Sequence, residues 1–249
     1  LTDADSALVL LGNVAGRHQA FSAVRSLAAE IADKTGARLG TLSPGANSAG
    51  LSQAGVLPQQ GDGLHAGEML DASLDAVVLL NVEPDADLHA TPDAVEKLAK
   101  QGFVIALTPF VSDALLEAAD LLLPVGTFAE TSGTYVNVAG TWQSFAGVAS
   151  PVGEARPAWK VLRVLGNLVD ADGFDYVTSE DVLEECRAAV GDVEAAAYRS
   201  SGAVSDASGT DDPANDIDTP LYSVDGLVRR AAALQLTPEA RRAVSEGDG

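Results

Sequence analysis

The sequence predicts an α/β fold: a doubly wound, mainly parallel sheet with a β-hairpin extension and a helical, acidic C-terminal tail. Three observations carry this. Short continuous apolar runs alternate with amphipathic stretches up to residue 125, two β-rich runs flank Ala139-Gly140, and the composition turns acidic after residue 170. Strands that alternate with helices imply a parallel sheet with helices on its faces and right-handed crossovers. Such a core is Rossmann-like.

Residues 7–11 (ALVLL) run apolar into Gly12-Asn13, the pattern of a strand buried on both faces and followed by a loop. Between residues 18 and 34, Phe21, Val24, Leu27, Ala28 and Ile31 recur at helical spacing, and Gly36 supplies a stop. Residues 38–42 give the second strand. The stretch 43–67 holds six glycines and two prolines and is expected to be an irregular, functional loop. Residues 76–82 form the next strand. A helix is expected over 91–101, with Thr91 as N-cap and Pro92 in its first turn.

Residues 103–107 read as a strand and 112–119 as a short helix. Residues 121–125 read as an edge strand, because Pro124 cannot donate to a ladder. The runs 134–138 and 141–145 around Ala139-Gly140 predict a hairpin with a two-residue turn. Val161, Leu162, Leu165, Leu168 and Val169 form a helical stripe. The expected organisation is an α/β domain over 1–169, a helical extension over 170–199 with a helix over 179–190 that has Ser179 as N-cap, an acidic Ser/Gly/Pro linker over 200–220, and helices over 221–249. In the last of these, Arg229-Arg230 is expected to be exposed for a partner.

The net charge is −21, and residues 1–169 hold 18 acidic and 9 basic side chains against 18 and 6 in residues 170–249. A field of this sign repels phosphate backbones and anionic headgroups, so no nucleic-acid partner is expected. No apolar run approaches the ~20 residues of a membrane helix, so no direct membrane insertion is expected either. The single cysteine, Cys186, excludes an internal disulfide, and no CxxC or Cys/His cluster is present for zinc or an iron-sulfur cluster. The start at Leu1, close to an apolar strand, suggests a fragment cut at a domain boundary.

Rossmann-like cores bind ligands at the C-terminal ends of their strands, which makes Gly12, Asn13, Ser43, Thr108 and Pro109 the default pocket. The glycines of GNVAG lack the GxGxxG spacing that brings a pyrophosphate to a helix N-terminus, so they read as turn glycines. His18, His65 and His89 lie in unrelated segments, away from any nucleophile-elbow serine or cysteine. Asp85, Asp87 and His89 follow Pro84 in an expected surface loop rather than on a metal-binding strand face.

The most informative segment is 126–168. It carries Glu130, Gly133, Thr134, Asn137, Gly140 and Gln143 in order, followed by GEARPAW at 153–159. This resembles the signature of the molybdopterin oxidoreductase family, in the form found in the large iron-sulfur subunit of the respiratory NADH-quinone oxidoreductase, complex I. The resemblance covers about two-thirds of the chain. It implies a structural domain in the peripheral arm, on the cytoplasmic side of the bacterial inner membrane, within a complex that carries electrons from NADH to quinone. The implied partners are the other subunits of complex I and the N-terminal half of the same subunit, which would hold the iron-sulfur clusters. No cofactor is expected in this part. Molybdenum-containing relatives wrap a pterin guanine dinucleotide here, which leaves Asn13, Thr108, Gly133, Thr134 and Asn137 as a vestigial pterin pocket; closing the hairpin is the alternative role for Thr134 and Asn137. An active molybdoenzyme such as a formate dehydrogenase is the alternative reading. Against it, the strand-poor acidic tail departs from the C-terminal β-barrel usual in those enzymes.

Overall fold

The computed structural model describes residues 2, 4–16, 18, 20–42, 45–56, 63–88, 91, 93–191, 222, 225–238 and 240. The first apolar run extends as β1 (Leu8–Leu11) and passes into a single helical turn, α1 (Asn13–Gly16). Helix α2 (Phe21–Thr35) ends at Gly36, whose φ of 72° is a left-handed conformation that glycine adopts without steric cost. Strand β2 (Arg38–Thr41) follows, then α3 (Ser48–Gln53), α4 (Ala66–Asp71) and β3 (Val77–Leu80). Next come α5 (Pro84–Asp87), α6 (Ala94–Leu98), β4 (Val104–Thr108), α7 (Asp113–Ala118) and β5 (Leu121–Pro124). The hairpin strands are β6 (Gly133–Val136) and β7 (Trp142–Phe145), before α8 (Ala158–Leu168) and α9 (Ser179–Val190). Two short turns, α10 (Gly226–Arg229) and α11 (Ala232–Gln235), come last among the described residues.

The chain divides into two compact units. The first takes in Leu1–Gly50, Val136–Thr141 and the described residues of Asp192–Gly249. There β1 and β2 pair in parallel, Leu8 opposite Arg38 and Leu11 opposite Thr41. Helix α2 packs on this pair through small side chains, with Ala23, Ser26, Ala29 and Ala32 buried. Small residues let a helix backbone lie close to a sheet. Leu27 and Ile31, of the expected apolar stripe, stay nearly half exposed at 47% and 46%.

The second unit spans Leu51–Tyr135 and Trp142–Gly191. Its sheet runs β3-β4-β5, all parallel, with Val77 opposite Val104 and Ile105 opposite Leu121. One face carries Leu79, Val104 and Ala106 and packs with Leu70 of α4, Ala94 and Leu98 of α6, and Leu115 and Ala118 of α7. Because side chains alternate along a strand, the opposite face carries two aliphatic rows, Val78-Ile105-Leu121 and Leu80-Leu107-Leu123. Leu107 is fully enclosed, while Val78, Leu80 and Leu121 remain partly open. This mixed α/β architecture with parallel sheets is compatible with a Rossmann-like fold, and among the described residues no strands close into a barrel.

Several local expectations are corrected. The stretch 43–67 is not wholly irregular: it holds α3, and it reaches the start of α4, where His65 and Glu68 form a capping box. The expected helix over 91–101 shrinks to α6, with Asp93 rather than Thr91 preceding it, while the Thr91 carbonyl accepts the Ala94 N–H at 3.0 Å. His18 lies ahead of α2, its Nδ1 accepting the Ala20 N–H at 3.0 Å. Asp85 and Asp87 sit on the helical turn α5 instead of a loop, where Asp87 Oδ2 accepts the Glu83 N–H at 2.8 Å. The hairpin link is longer than two residues, because Asn137 N–H already donates to the Thr141 carbonyl at 3.1 Å. Helix α9 is capped by Thr178, not Ser179. Ser43, His89, Pro92 and the linker 200–220 lie outside the described residues, as do 241–244.

Candidate functional site

In the second unit the site begins at Thr108, which ends β4 and is buried. Its hydroxyl donates to the Phe110 carbonyl at 2.6 Å and accepts the Phe110 N–H at 3.2 Å, turning the chain sharply after the strand. Pro109, beside it, is half-buried. The GEARPAW segment runs along the end of β5. Gly126 N–H donates to the Arg156 carbonyl at 3.0 Å, Arg156 N–H to Pro124 at 3.3 Å, and Val125 and Arg156 form a parallel bridge. Pro157 then leads into α8.

Glu130 holds this region together. It closes a 3-10 turn, Phe128–Glu130, and its Oε2 accepts the Thr127 N–H at 2.8 Å and the Thr127 hydroxyl at 2.9 Å. Its Oε1 accepts the Val152 N–H at 3.1 Å. The Thr127 amide, then the Thr127 hydroxyl and the Val152 amide, hold this carboxyl below its usual range, against a smaller opposing effect of burial. Two further bonds, Val148 and Ala149 N–H to the Ala129 carbonyl at 2.8 and 3.1 Å, lay the segment 147–152 over the turn. Gly147 fits there because a Cβ would stand 3.1 Å from the Thr131 nitrogen.

Gly133 and Thr134 adjoin on β6. A Cβ on Gly133 would meet the Phe145 ring at 2.8 Å, so the glycine makes room for an aromatic that packs edge-on against Tyr135 at 4.8 Å between centroids. The Thr134 hydroxyl bonds that of Ser144 on the neighbouring strand at 3.0 Å. In the first unit, Asn137 Oδ1 accepts the N–H groups of Ala139 and Thr141, both at 3.0 Å, and Gly140 takes a φ of 80°. These features close the hairpin turn. Asn47 Oδ1 accepts the Val136 N–H at 2.8 Å. Asn13 stands at the start of α1, and its Oδ1 is buried without a hydrogen-bond partner. Gly12, ahead of it, has nothing within 4 Å of a Cβ position.

Asn13 and Asn137 thus fall in the first unit, and Thr108, Gly133 and Thr134 in the second. The role of Glu130 escapes sequence reading, since its partner Val152 lies 22 residues away and contributes only a backbone amide. Among the described residues, no three His, Cys, Asp or Glu side chains are placed to hold a metal ion. No helix among them is long and apolar enough to cross a membrane.

The family model of the molybdopterin oxidoreductase domain matches residues 1–168. The chain belongs to the molybdopterin oxidoreductase family. The family is one of oxidoreductases, which places the chain with redox enzymes. No curated protein matches the chain. The matched span closes with α8, so α9, α10 and α11 lie beyond it.

The pterin guanine dinucleotide of the family's molybdenum members calls for free donors and acceptors converging on one ligand. Within the second unit, the Thr108 hydroxyl both donates and accepts at Phe110, the Thr134 hydroxyl shares a bond with Ser144, and the space beside Gly133 is filled by Phe145. Within the first, the Asn137 amide oxygen serves the turn, and Asn13 alone keeps an unpartnered buried acceptor. As they stand, these residues do not fit the group.

Proposed function

We propose that this chain is a scaffolding part of the large iron-sulfur subunit of the respiratory NADH-quinone oxidoreductase, complex I, with no redox centre of its own. In this reading it sits in the peripheral arm on the cytoplasmic side of the bacterial inner membrane. Its partners are the cluster-bearing N-terminal half of the same subunit and the other subunits of the complex, and the electrons that pass from NADH to quinone travel through those clusters.

The observation that supports this is the local use of the signature side chains. Glu130 bonds to its own turn and to the Val152 amide, Thr134 to Ser144 across the hairpin, Asn137 to the hairpin turn, and Thr108 to the turn after its strand. Side chains that hold their own backbone in place suit a domain whose contribution is its shape. Metal and pterin analysis of the purified protein tests the reading: molybdenum and pterin are expected at background, and stoichiometric amounts of either overturn it.

One observation favours a second reading, a pterin guanine dinucleotide-binding part of an active molybdoenzyme such as a formate dehydrogenase. It is the buried, unpartnered Asn13 Oδ1, an acceptor of the kind a pterin or guanine N–H would satisfy. Thermal unfolding with GDP separates the two. A ligand at a hundred times its dissociation constant adds about 2.7 kcal/mol, so a marked rise in Tm that Asn13→Ala removes supports the molybdoenzyme, and an unchanged Tm supports the scaffold.

A further inference from the structure

Away from the signature region, the second unit carries an open groove of about 470 Å³ between the end of α3 and one face of α9, with Glu185 and Ala189 of its lining exposed. Val182, Glu185, Cys186 and Val190 fall at helical spacings of three and four along α9 and form one wall, with Gln53 on the other wall and Tyr176 beside the start of the helix. The volume lies within the range of small-ligand sites.

The chemistry of the walls is specific. The Tyr176 hydroxyl donates to Glu185 Oε2 at 2.8 Å, fixing a carboxylate and an aromatic ring side by side. That bond raises the tyrosine's own pKa above its usual value, as expected for a phenol that donates to an anion. The Tyr176 carbonyl is itself held by the Arg163 guanidinium at 2.9 Å, and Thr178 caps α9, so both ends of the pair are braced. A ring face and a carboxylate beside aliphatic walls are the elements that attract an organic cation. The net charge of −21 repels anions from the same place. The amide oxygen of Gln53 is buried without a partner, so that wall is incompletely satisfied.

We propose that this groove is a binding site for a small organic monocation, an ammonium group on a compact apolar body. The ammonium would sit at the Glu185 carboxylate and the Tyr176 ring, and its apolar body against Val182 and Val190. This site is independent of the scaffolding role, since none of its residues belongs to the family signature.

Cys186, the chain's one cysteine, is half-buried in the groove wall and serves as the reporter. The experiment measures the rate of Cys186 alkylation by iodoacetamide in the whole chain with benzylammonium, benzoate, benzyl alcohol or ammonium chloride at matched ionic strength. Benzylammonium is expected to slow alkylation at least about fivefold and to raise Tm, with the other three changing neither. Glu185→Gln is expected to weaken the protection about tenfold, roughly 1.4 kcal/mol, while circular dichroism shows α9 intact. Val182→Ala serves as a second variant and is expected to weaken protection while leaving Glu185 in place. Equal protection by benzoate, benzyl alcohol or ammonium alone overturns the proposal, as does no protection by any probe. Undiminished protection in both variants overturns it as well.

Discussion

The carboxylate of Glu130 accepts the backbone N–H of Val152 at 3.1 Å while its other oxygen accepts two donors from Thr127. One side chain therefore caps its own turn and pins a segment that arrives from beyond the hairpin. Replacing Glu130 by Ala should cost about 1–2 kcal/mol, the scale of a lost cap together with a charge-assisted bond at a half-exposed site. Amide exchange at Val152, Val148 and Ala149 should accelerate more than exchange in β4, as equilibrium denaturation and hydrogen exchange would show. The pH dependence has a definite sign. A carboxyl whose folded pKa lies below its unfolded value stabilises fully above the ordinary carboxylate range and loses that contribution as pH falls through the depressed value. Glu130→Gln should flatten the acid limb of the stability curve.

Gly102 offers a test of backbone packing. A Cβ placed there would collide with the carbonyl oxygen of Asp75, and the Gly102 N–H also donates to Leu74 at 2.9 Å. Neither backbone group can move without disturbing the start of β3. Gly102→Ala should destabilise by about 1–3 kcal/mol. Gly12→Ala, with nothing within 4 Å of its Cβ position, should leave the denaturation midpoint nearly unchanged. An equal loss for both would show that the approach of Gly102 to Asp75 is not what the glycine provides.

How much of this was legible in the sequence depends on the range of the interaction. Strands β1, β3, β4 and β5 follow from their apolar runs, whereas β2 carries Leu39 as its one large apolar residue, and β1 is not buried on both faces as its run suggests, since Leu8 and Leu10 stay 55% and 53% exposed. Helix boundaries were less readable. Thr178 and Ser179 are both good caps, and the choice falls on Thr178 because Asp181 reaches back to its amide, while the Ser179 hydroxyl instead meets Ser132 at 2.8 Å. The β-rich runs around Ala139-Gly140 mark the hairpin but not the length of its link, and the hydrogen-bond partners of the signature residues, such as Val152 for Glu130, carry no sequence signal. The pairing of Tyr176 with Glu185 was equally hidden, because it depends on how the chain enters α9.

Burial separates residues that look alike in sequence. Leu115 and Leu168 are both leucines on short amphipathic helices, yet Leu115 is fully enclosed and Leu168 is 74% exposed. Leu115→Ala removes side-chain volume from the cluster with Leu98, Val104 and Ala106, and should cost about 2–5 kcal/mol. Leu168→Ala should change stability by less than about 0.5 kcal/mol, as expected of surface positions. Chemical denaturation of the two variants side by side checks both values.

Thr178 and Asp181 form a reciprocal capping box. Asp181 Oδ2 accepts the Val177 and Thr178 N–H groups, both at 2.8 Å, and the Thr178 hydroxyl accepts the Asp181 N–H at 3.2 Å. Helix α9 buries none of its residues, so it has little packing to compensate for a lost cap. Thr178→Ala should therefore cost about 1 kcal/mol, with its effect concentrated in the helix. The Thr178 and Val177 amides, with the Thr178 hydroxyl, hold Asp181 below the usual carboxylate range, so its contribution is present above that range and fades as pH falls through the lowered value. The protection of the amides of residues 181–184 against exchange, relative to the intrinsic rate at each pH, should fall in Thr178→Ala at neutral pH and in the unaltered chain at low pH. A cap that served only to position the preceding segment would instead leave α9 protection unchanged in both.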